Sequence, residues 1–346
     1  MTPRVVYALA LAFLVAACAS DGGSGDNPIN GGESTNRNPL TTPTPDPDPD
    51  PDPDPDPDEE NPDADGDGIL DAITKDLASY DISAFPTTVT VEVRGLDSTP
   101  VEVVYARNAA LDQPGYLAYS MQEDALDRFF LALGNVSADG SVSAIAVGDG
   151  GQFNRVIQGA RYSRDSGTFD PPAIGTGPGA GQVSYAGDYA GITNIKSTSG
   201  AQLIPVPDPT APGLPDLPGQ PGTVRGTIFF NVNFAEMTIN GSINGRELID
   251  PRDGSVFESL NDIVLILDEI NADGTFAGDV ELDGQLNVSL GNYGGVFGGT
   301  DASYVAGAVE IEGWTETFSD ELEIGVFVLT QCGRPGDAPI CSVAAP

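Results

Sequence analysis

The chain has 346 residues and is 40% hydrophobic, enough to fill a core, with 52 acidic against 14 basic side chains and a net charge of −38. That balance excludes nucleic acid as a partner, and a polybasic grip on anionic lipid, because both need clustered Lys and Arg. The absence of histidine removes Ser-His-Asp and Cys-His nucleophiles, H-E-x-x-H zinc sites and an imidazole ligand for haem, leaving carboxylate pairs as the surviving catalytic option.

Arg4 precedes an apolar run from Val5 to Ala17, after which the chain turns polar at "SDGGSGDN". The run is too short to span a bilayer as a helix and has the form of a secretory signal over residues 1–17. It ends "LVAAC", which resembles the bacterial lipobox, and the resemblance implies that Cys18 becomes the lipid-attached N-terminus. Two or more acyl chains give stable anchoring where one does not, so membrane lipid would be the first partner. An Asp after the cysteine retains many Gram-negative lipoproteins at the inner membrane; with Ala19 in that place, the resemblance implies transfer to the cell outer membrane. Cleavage after Ala17-Cys18-Ala19, releasing a soluble protein, is the competing reading.

Residues 18–62 read as a disordered Gly/Pro/Asp-rich linker containing seven Pro-Asp pairs. Proline fixes φ and biases the preceding Asp toward extended geometry, while like charges at alternate positions repel, so the block is expected to be a stiff spacer. At about 3.1 Å per residue it would reach roughly 40 Å. A loose sponge for divalent ions is the rival reading, without a preorganised site.

The segment 63–76 differs. "DADGDGILD" places Asp63, Asp65, Asp67 and Asp71 at the first, third, fifth and ninth positions of an EF-hand-like calcium loop, with Gly68 sixth and the Ile69 carbonyl seventh. Position twelve is Thr74, where a bidentate Glu is usual, so any Ca²⁺ binding should be weak. Calcium is the one cofactor the sequence suggests; the alternative is a solvated Asp-Gly turn continuing the linker.

From residue 80 the pattern changes to a period of two. "TTVTVEVRG", "PVEVVYAR", "GYLAYSM", "RFFLALGNVS", "SVSAIAVG" and "FNRVIQGARYS" read as strands of a β-rich subdomain over 80–175, punctuated by Asp139-Gly140 and Asp149-Gly150-Gly151. "QEDALDRFFLAL" offers at most a helical turn before a strand. The glycines of "PPAIGTGPGAG" are interrupted by Pro178 and followed by a strand pattern, which excludes a dinucleotide loop. Over 180–331 the pattern predicts about eight strands, at 181–196, 223–234, 236–246, 262–268, 275–282, 292–299, 303–312 and 323–331. In "TVRGTIFFNVNF" Val224, Ile228, Phe230, Val232 and Phe234 share one face. The expected fold is all-β: a small soluble antiparallel up-and-down barrel filled by side chains, preceded by a handle-like subdomain. Cys332 and Cys341 close the short loop "CGRPGDAPIC" in the tail 332–346, and an oxidising compartment makes a disulfide the natural reading, against two reduced thiols.

"GQVSYAGDYAGI", "VNFAEMTINGSINGRE", "GNYGGVFGGTDASYVAGAVEIEG" and "IGVFVLT" together resemble the barrel domain of transferrin-binding protein B and its lipoprotein relatives. The Phe297–Gly299 segment and the Ala306-Gly307 strand carry the match, and residues 80–170 are similar, more loosely, to the handle preceding such barrels. The resemblance implies a surface lipoprotein that binds a macromolecule or a metal-carrying solute, with no residue-level ligand motif transferred; the ligand-binding residues stay unknown. A protein ligand or an outer-membrane receptor is the implied partner. A structural envelope lipoprotein without a soluble ligand is the alternative. Glu310 and Glu312 in "VEIEG" tempt as an acid-base pair but share one strand face as a solvated stripe, and no enzymatic activity is expected.

Overall fold

The computed structural model describes residues 62–342, apart from 96–98, 178, 212, 214–215, 286, 316–317 and 319. The signal segment, Cys18, the Pro-Asp block and Pro178 lie outside the described residues.

A short helix, α1 (Asp71–Thr74), leads into a meander of β1 (Leu77–Asp81), β2 (Thr88–Arg94), β3 (Pro100–Arg107), β4 (Leu117–Met121), β5 (Phe130–Val136), β6 (Val142–Asp149) and β7 (Gln158–Arg164). Each strand pairs antiparallel with the next, making one seven-stranded sheet. The "QEDALDR" stretch forms turns and no helix before β5.

The second sheet comprises β8 (Gln182–Ser197), β9 (Gln220–Asn233), β10 (Thr238–Ile249), β11 (Val256–Ser259), β12 (Ile263–Glu269), β13 (Thr275–Leu282), β14 (Ser289–Gly298), β15 (Tyr304–Glu312) and β16 (Leu322–Thr330). β16 pairs back onto β8, and β10 pairs with both β9 and β12, so eight strands close into an up-and-down barrel. β11 hangs on the far end of β10, opposite Glu247 to Ile249.

Alternation decides which face of each strand turns inward. In β9 the residues Val224, Ile228, Phe230 and Val232 are all buried in the barrel, and Phe234 follows them. Tyr185, Tyr189, Phe276, Tyr293, Phe297 and Phe327 fill the rest of the interior. Each such side chain removed from water contributes about 1.5–3 kcal/mol, so the barrel is a packed core.

β5 and β6 are buried on both faces, which explains why "FLALG" and "SAIAV" read as unbroken apolar runs. Leu131, Leu133, Ala144 and Ala146 meet Ala190, Ile192, Ala306, Ala308, Ile324 and Val326 on the outside of the barrel. Phe130, Ala132, Ile145 and Val147 face the other way, against Leu77, Val91 and Tyr105. The glycines of "GNYGGVFGG" sit where both faces of β14 are crowded: a Cβ at Gly295 would lie 2.4 Å from the Phe276 ring, and one at Gly294 would lie 2.6 Å from the Tyr162 hydroxyl.

Candidate functional site

The acidic loop folds as its glycines require, with φ of +73° at Gly66 and +85° at Gly68. One Asp63 oxygen accepts the backbone N–H groups of Gly66 (2.9 Å) and Asp67 (3.1 Å), and the other accepts that of Gly68 (3.0 Å). The Ala64 N–H donates to Asp71 at 3.1 Å and the Asp71 N–H to the Pro62 carbonyl at 2.9 Å, tying the two ends together. Carboxylate oxygens of Asp63, Asp65 and Asp71 lie within 4.8 Å of one another. Two oxygens at about 2.4 Å from a shared calcium are at most about 4.8 Å apart, so this trio fits one ion.

Asp67 stands outside the trio. Its Oδ2 is held by Arg161 Nη1 and its Oδ1 accepts the Ile69 N–H at 2.9 Å. Asp65 also feels Arg161 at 3.8 Å and Arg94 at 3.9 Å. Ile69 and Ile73 bury their side chains in the core between the two sheets, and Thr74 is buried as well. The loop is therefore seated on the handle sheet and is not a free continuation of the linker. The cations Arg94 and Arg161 come from β2 and β7, far from the loop along the chain, so no local pattern links them to it.

Immediately after α1, Lys75 reaches the barrel. Its Nζ lies 3.3 Å from Glu310 Oε1 and 3.4 Å from Glu312 Oε1. The two glutamates share one face of β15, as their spacing predicts, but only Glu312 is solvated, its side chain 62% exposed against 4% for Glu310. Burial pushes the Glu310 carboxyl up to about 7; Lys75 opposes that shift and Glu312 adds to it. Both carboxylates are engaged by one ammonium, and together with Asp320 and Glu321 they line a cleft of about 730 Å³.

A deeper ion pair closes one mouth of the barrel. Arg246 Nη2 donates to Glu323 Oε2 at 2.6 Å, Tyr189 donates its hydroxyl to Glu323 Oε1 at 2.6 Å, and Trp314 lies over the guanidinium at 5.4 Å. The long connections leave and re-enter their strands at this same mouth: those after β8, β10 and β15 on the barrel, and the one after β6 on the handle. They are stitched together, since Lys196 Nζ donates to the Gly151 carbonyl at 2.9 Å and the Phe153 N–H donates to Asp216 at 3.2 Å. The Pro-rich loop is pinned further in by the Ile204 N–H, which donates to Gln122 at 2.8 Å.

Apolar side chains stand out of this end. Phe153 is 57% and Phe257 50% exposed, and Val256 and Ile204 are exposed as well. Phe153 and Asn154 both adopt left-handed backbone, φ +55° and +56°, in a tight turn closed by the Gln152–Arg155 bridge. Non-glycine residues held there cost on the order of 1 kcal/mol or more each, strain borne by a turn that displays a phenylalanine. The Phe257 and Phe318 rings lie 6.1 Å apart over a cleft of about 220 Å³ floored by Leu248 and Ile249.

Every Lys and Arg from residue 62 onward is tied to a carboxylate or a backbone carbonyl. Cys332 and Cys341 are joined, with Cα atoms 5.3 Å apart.

No protein-family model matches the chain, and no curated protein matches it. Solved structures of transferrin-binding protein B are similar to it. A double mutant from Haemophilus parasuis Hp5 is 10% identical, with 70% of this chain and 51% of that one covered and a TM-score of 0.35. A single mutant of the same protein is 12% identical, covering 70% and 50%, at a TM-score of 0.31. The isotype 1 protein from serogroup B Neisseria meningitidis is 14% identical, covering 69% and 39%, at 0.28. The chain thus spans about half the length, or less, of the structures it is similar to.

Proposed function

We propose that this is a binding protein of the cell outer membrane, held by an acylated Cys18 and displayed on the Pro-Asp spacer, whose long-loop end contacts a macromolecule or a metal-carrying solute. The observation that carries the reading is the strained, stitched loop cluster presenting Phe153 and Phe257 to solvent at one mouth of a barrel whose interior is already filled. Exposed aromatics rimmed by polar groups are what protein contacts use, and a packed interior puts recognition on the outside. We assign no catalytic role: Glu310 and Glu312 share Lys75 and do not face each other across a cleft.

Affinity capture with residues 61–346 as bait tests this. A partner retained by the native protein and lost with Phe153→Ala and Phe257→Ala supports it. Recovery of the bait alone, or of a partner indifferent to both changes, favours a structural envelope role. Mass spectrometry of the mature chain tests the anchor, and an unmodified or absent Cys18 removes it; protease shaving of intact cells tests surface display.

A second reading concerns the acidic loop, which we propose takes Ca²⁺ weakly through Asp63, Asp65 and Asp71, with the Ile69 carbonyl as a further oxygen and Asp67 joining only by leaving Arg161. The convergence of the three carboxylates supports it. Calorimetry on the folded chain should show heat with millimolar-range calcium that Asp63→Asn and Asp71→Asn remove; equal heat in the variants refutes it.

A further inference from the structure

On a chain so rich in carboxylates, one broad face carries almost none. The outward positions of β8, β9 and β10 form cross-strand rows. Gln182, Asn233 and Thr238 make the first; Ser184, Asn231 and Asn240 make the second. Phe229 sits in the next row, opposite Ser242, and Thr227 opposite Asn244 in the one after. Charge returns only at the margins, with Asp188 opposite Thr227, Glu236 in the β9–β10 turn and Glu269 opposite Thr238.

Directly opposed side chains on neighbouring strands have Cβ atoms about 4.5–5.5 Å apart, so the second row is a line of hydrogen-bonding groups at near-regular spacing. The side-chain amides of Asn231 and Asn240 make no hydrogen bond within the described protein, whereas the Asn233 side chain accepts the Ala235 N–H at 3.0 Å and that of Asn244 donates to Ser242 at 2.8 Å. The free amides of Asn231 and Asn240 thus stand side by side in the second row, with that of Gln182 in the first. With Cys332 and Cys341 on one side and Leu267 on the other, the face lines an open groove of about 640 Å³, within the range of ligand-binding clefts.

We propose that this groove binds a neutral, hydroxyl-rich glycan chain. A primary amide offers two donors and an acceptor, and a hydroxyl one donor and two acceptors, which matches sugar hydroxyls that both give and take hydrogen bonds. Phe229 supplies the flat apolar surface on which the C–H face of a sugar ring can lie. An anionic glycan is excluded by the field of the surrounding carboxylates, and a cationic partner would find its counter-charges elsewhere on the molecule. The groove lies on the barrel wall toward the end away from the long loops, so it stands or falls independently of the loop-end reading.

The test uses the full chain, immobilised, with soluble xyloglucan, galactomannan, dextran and laminarin as probes at low and high salt. At least one is expected to bind with an affinity that salt leaves unchanged, since no ion pairs form. Phe229→Ala and Asn231→Ala, each on a water-facing strand surface, should weaken that binding about tenfold or more, while Val104→Ala on the exposed edge of β3 should not. Failure of all four polysaccharides to bind, binding abolished by salt, or binding equal in wild type and the groove variants would each overturn the proposal.

Discussion

Replacing Glu310 by glutamine isolates the contribution of one buried carboxyl to the pH dependence of folding. With its side chain 4% exposed, Glu310 is held at about 7 in the folded chain, against an ordinary value of 4.5. The folded state binds this proton more tightly than the unfolded chain does. Stability from Glu310 is therefore fully present below about pH 4.5, and is lost as pH rises through about 7. At about 1.4 kcal/mol per tenfold change in proton affinity, the difference amounts to about 3 kcal/mol. Glutamine keeps the shape and a donor but cannot ionise, and Lys75 retains Glu312 at 3.4 Å. The expected result is that the variant is close to wild type near pH 4.5 and gains on it progressively toward pH 8, by about 3 kcal/mol, the pull of Lys75 being already contained in the value of about 7. Urea unfolding of both proteins across that range measures the gap. If wild type instead gains on the variant as pH rises, the ion pair with Lys75 dominates desolvation and the reasoning fails.

Three further outcomes follow from particular contacts. Arg246→Met should cost about 3–5 kcal/mol in urea unfolding, because it leaves Glu323 fully buried with only the Tyr189 hydroxyl as partner; a loss under about 1 kcal/mol would contradict that. Gly307→Ala places a Cβ 2.2 Å from the Gly294 carbonyl oxygen and 2.3 Å from the Phe327 ring, so the stability should drop by about 1–3 kcal/mol or more, read as a lowered unfolding midpoint by calorimetry. Cys332→Ser with Cys341→Ser opens a loop of sequence separation 9 that lies after the last barrel strand. Limited proteolysis should then cut within residues 333–340 while the barrel's unfolding midpoint stays put; a cooperative loss of the whole fold would show that the loop holds the barrel shut.

Much of the β-structure was legible because strand periodicity is local. In β9 the alternation of Val224, Ile228, Phe230 and Val232 with Thr227 and Asn231 states which face is buried before any partner strand is known. The strands that escaped notice lack that signature. "LASYD" of β1 has only Leu77 fully buried, and "VFES" of β11 is almost wholly exposed; both exist because a neighbouring strand offers its edge. The acidic loop was legible for the same local reason, since glycine and aspartate spacing sets the turn. That Asp67 would turn to Arg161 was not, because the two are 94 residues apart.

The sequence alone determined the alternation of the strands, the turns between them, the candidate calcium loop and the short cystine loop, all set by interactions within a few residues. Only the tertiary structure decided that Glu310 is buried while Glu312 two residues on is not, that Arg246 and Glu323 meet inside the barrel, and that three strands align their Asn, Ser and Thr side chains into one uncharged face. Those outcomes depend on which surfaces are brought together and removed from water. Burial and cross-strand register are properties of the closed sheet, which no single strand carries.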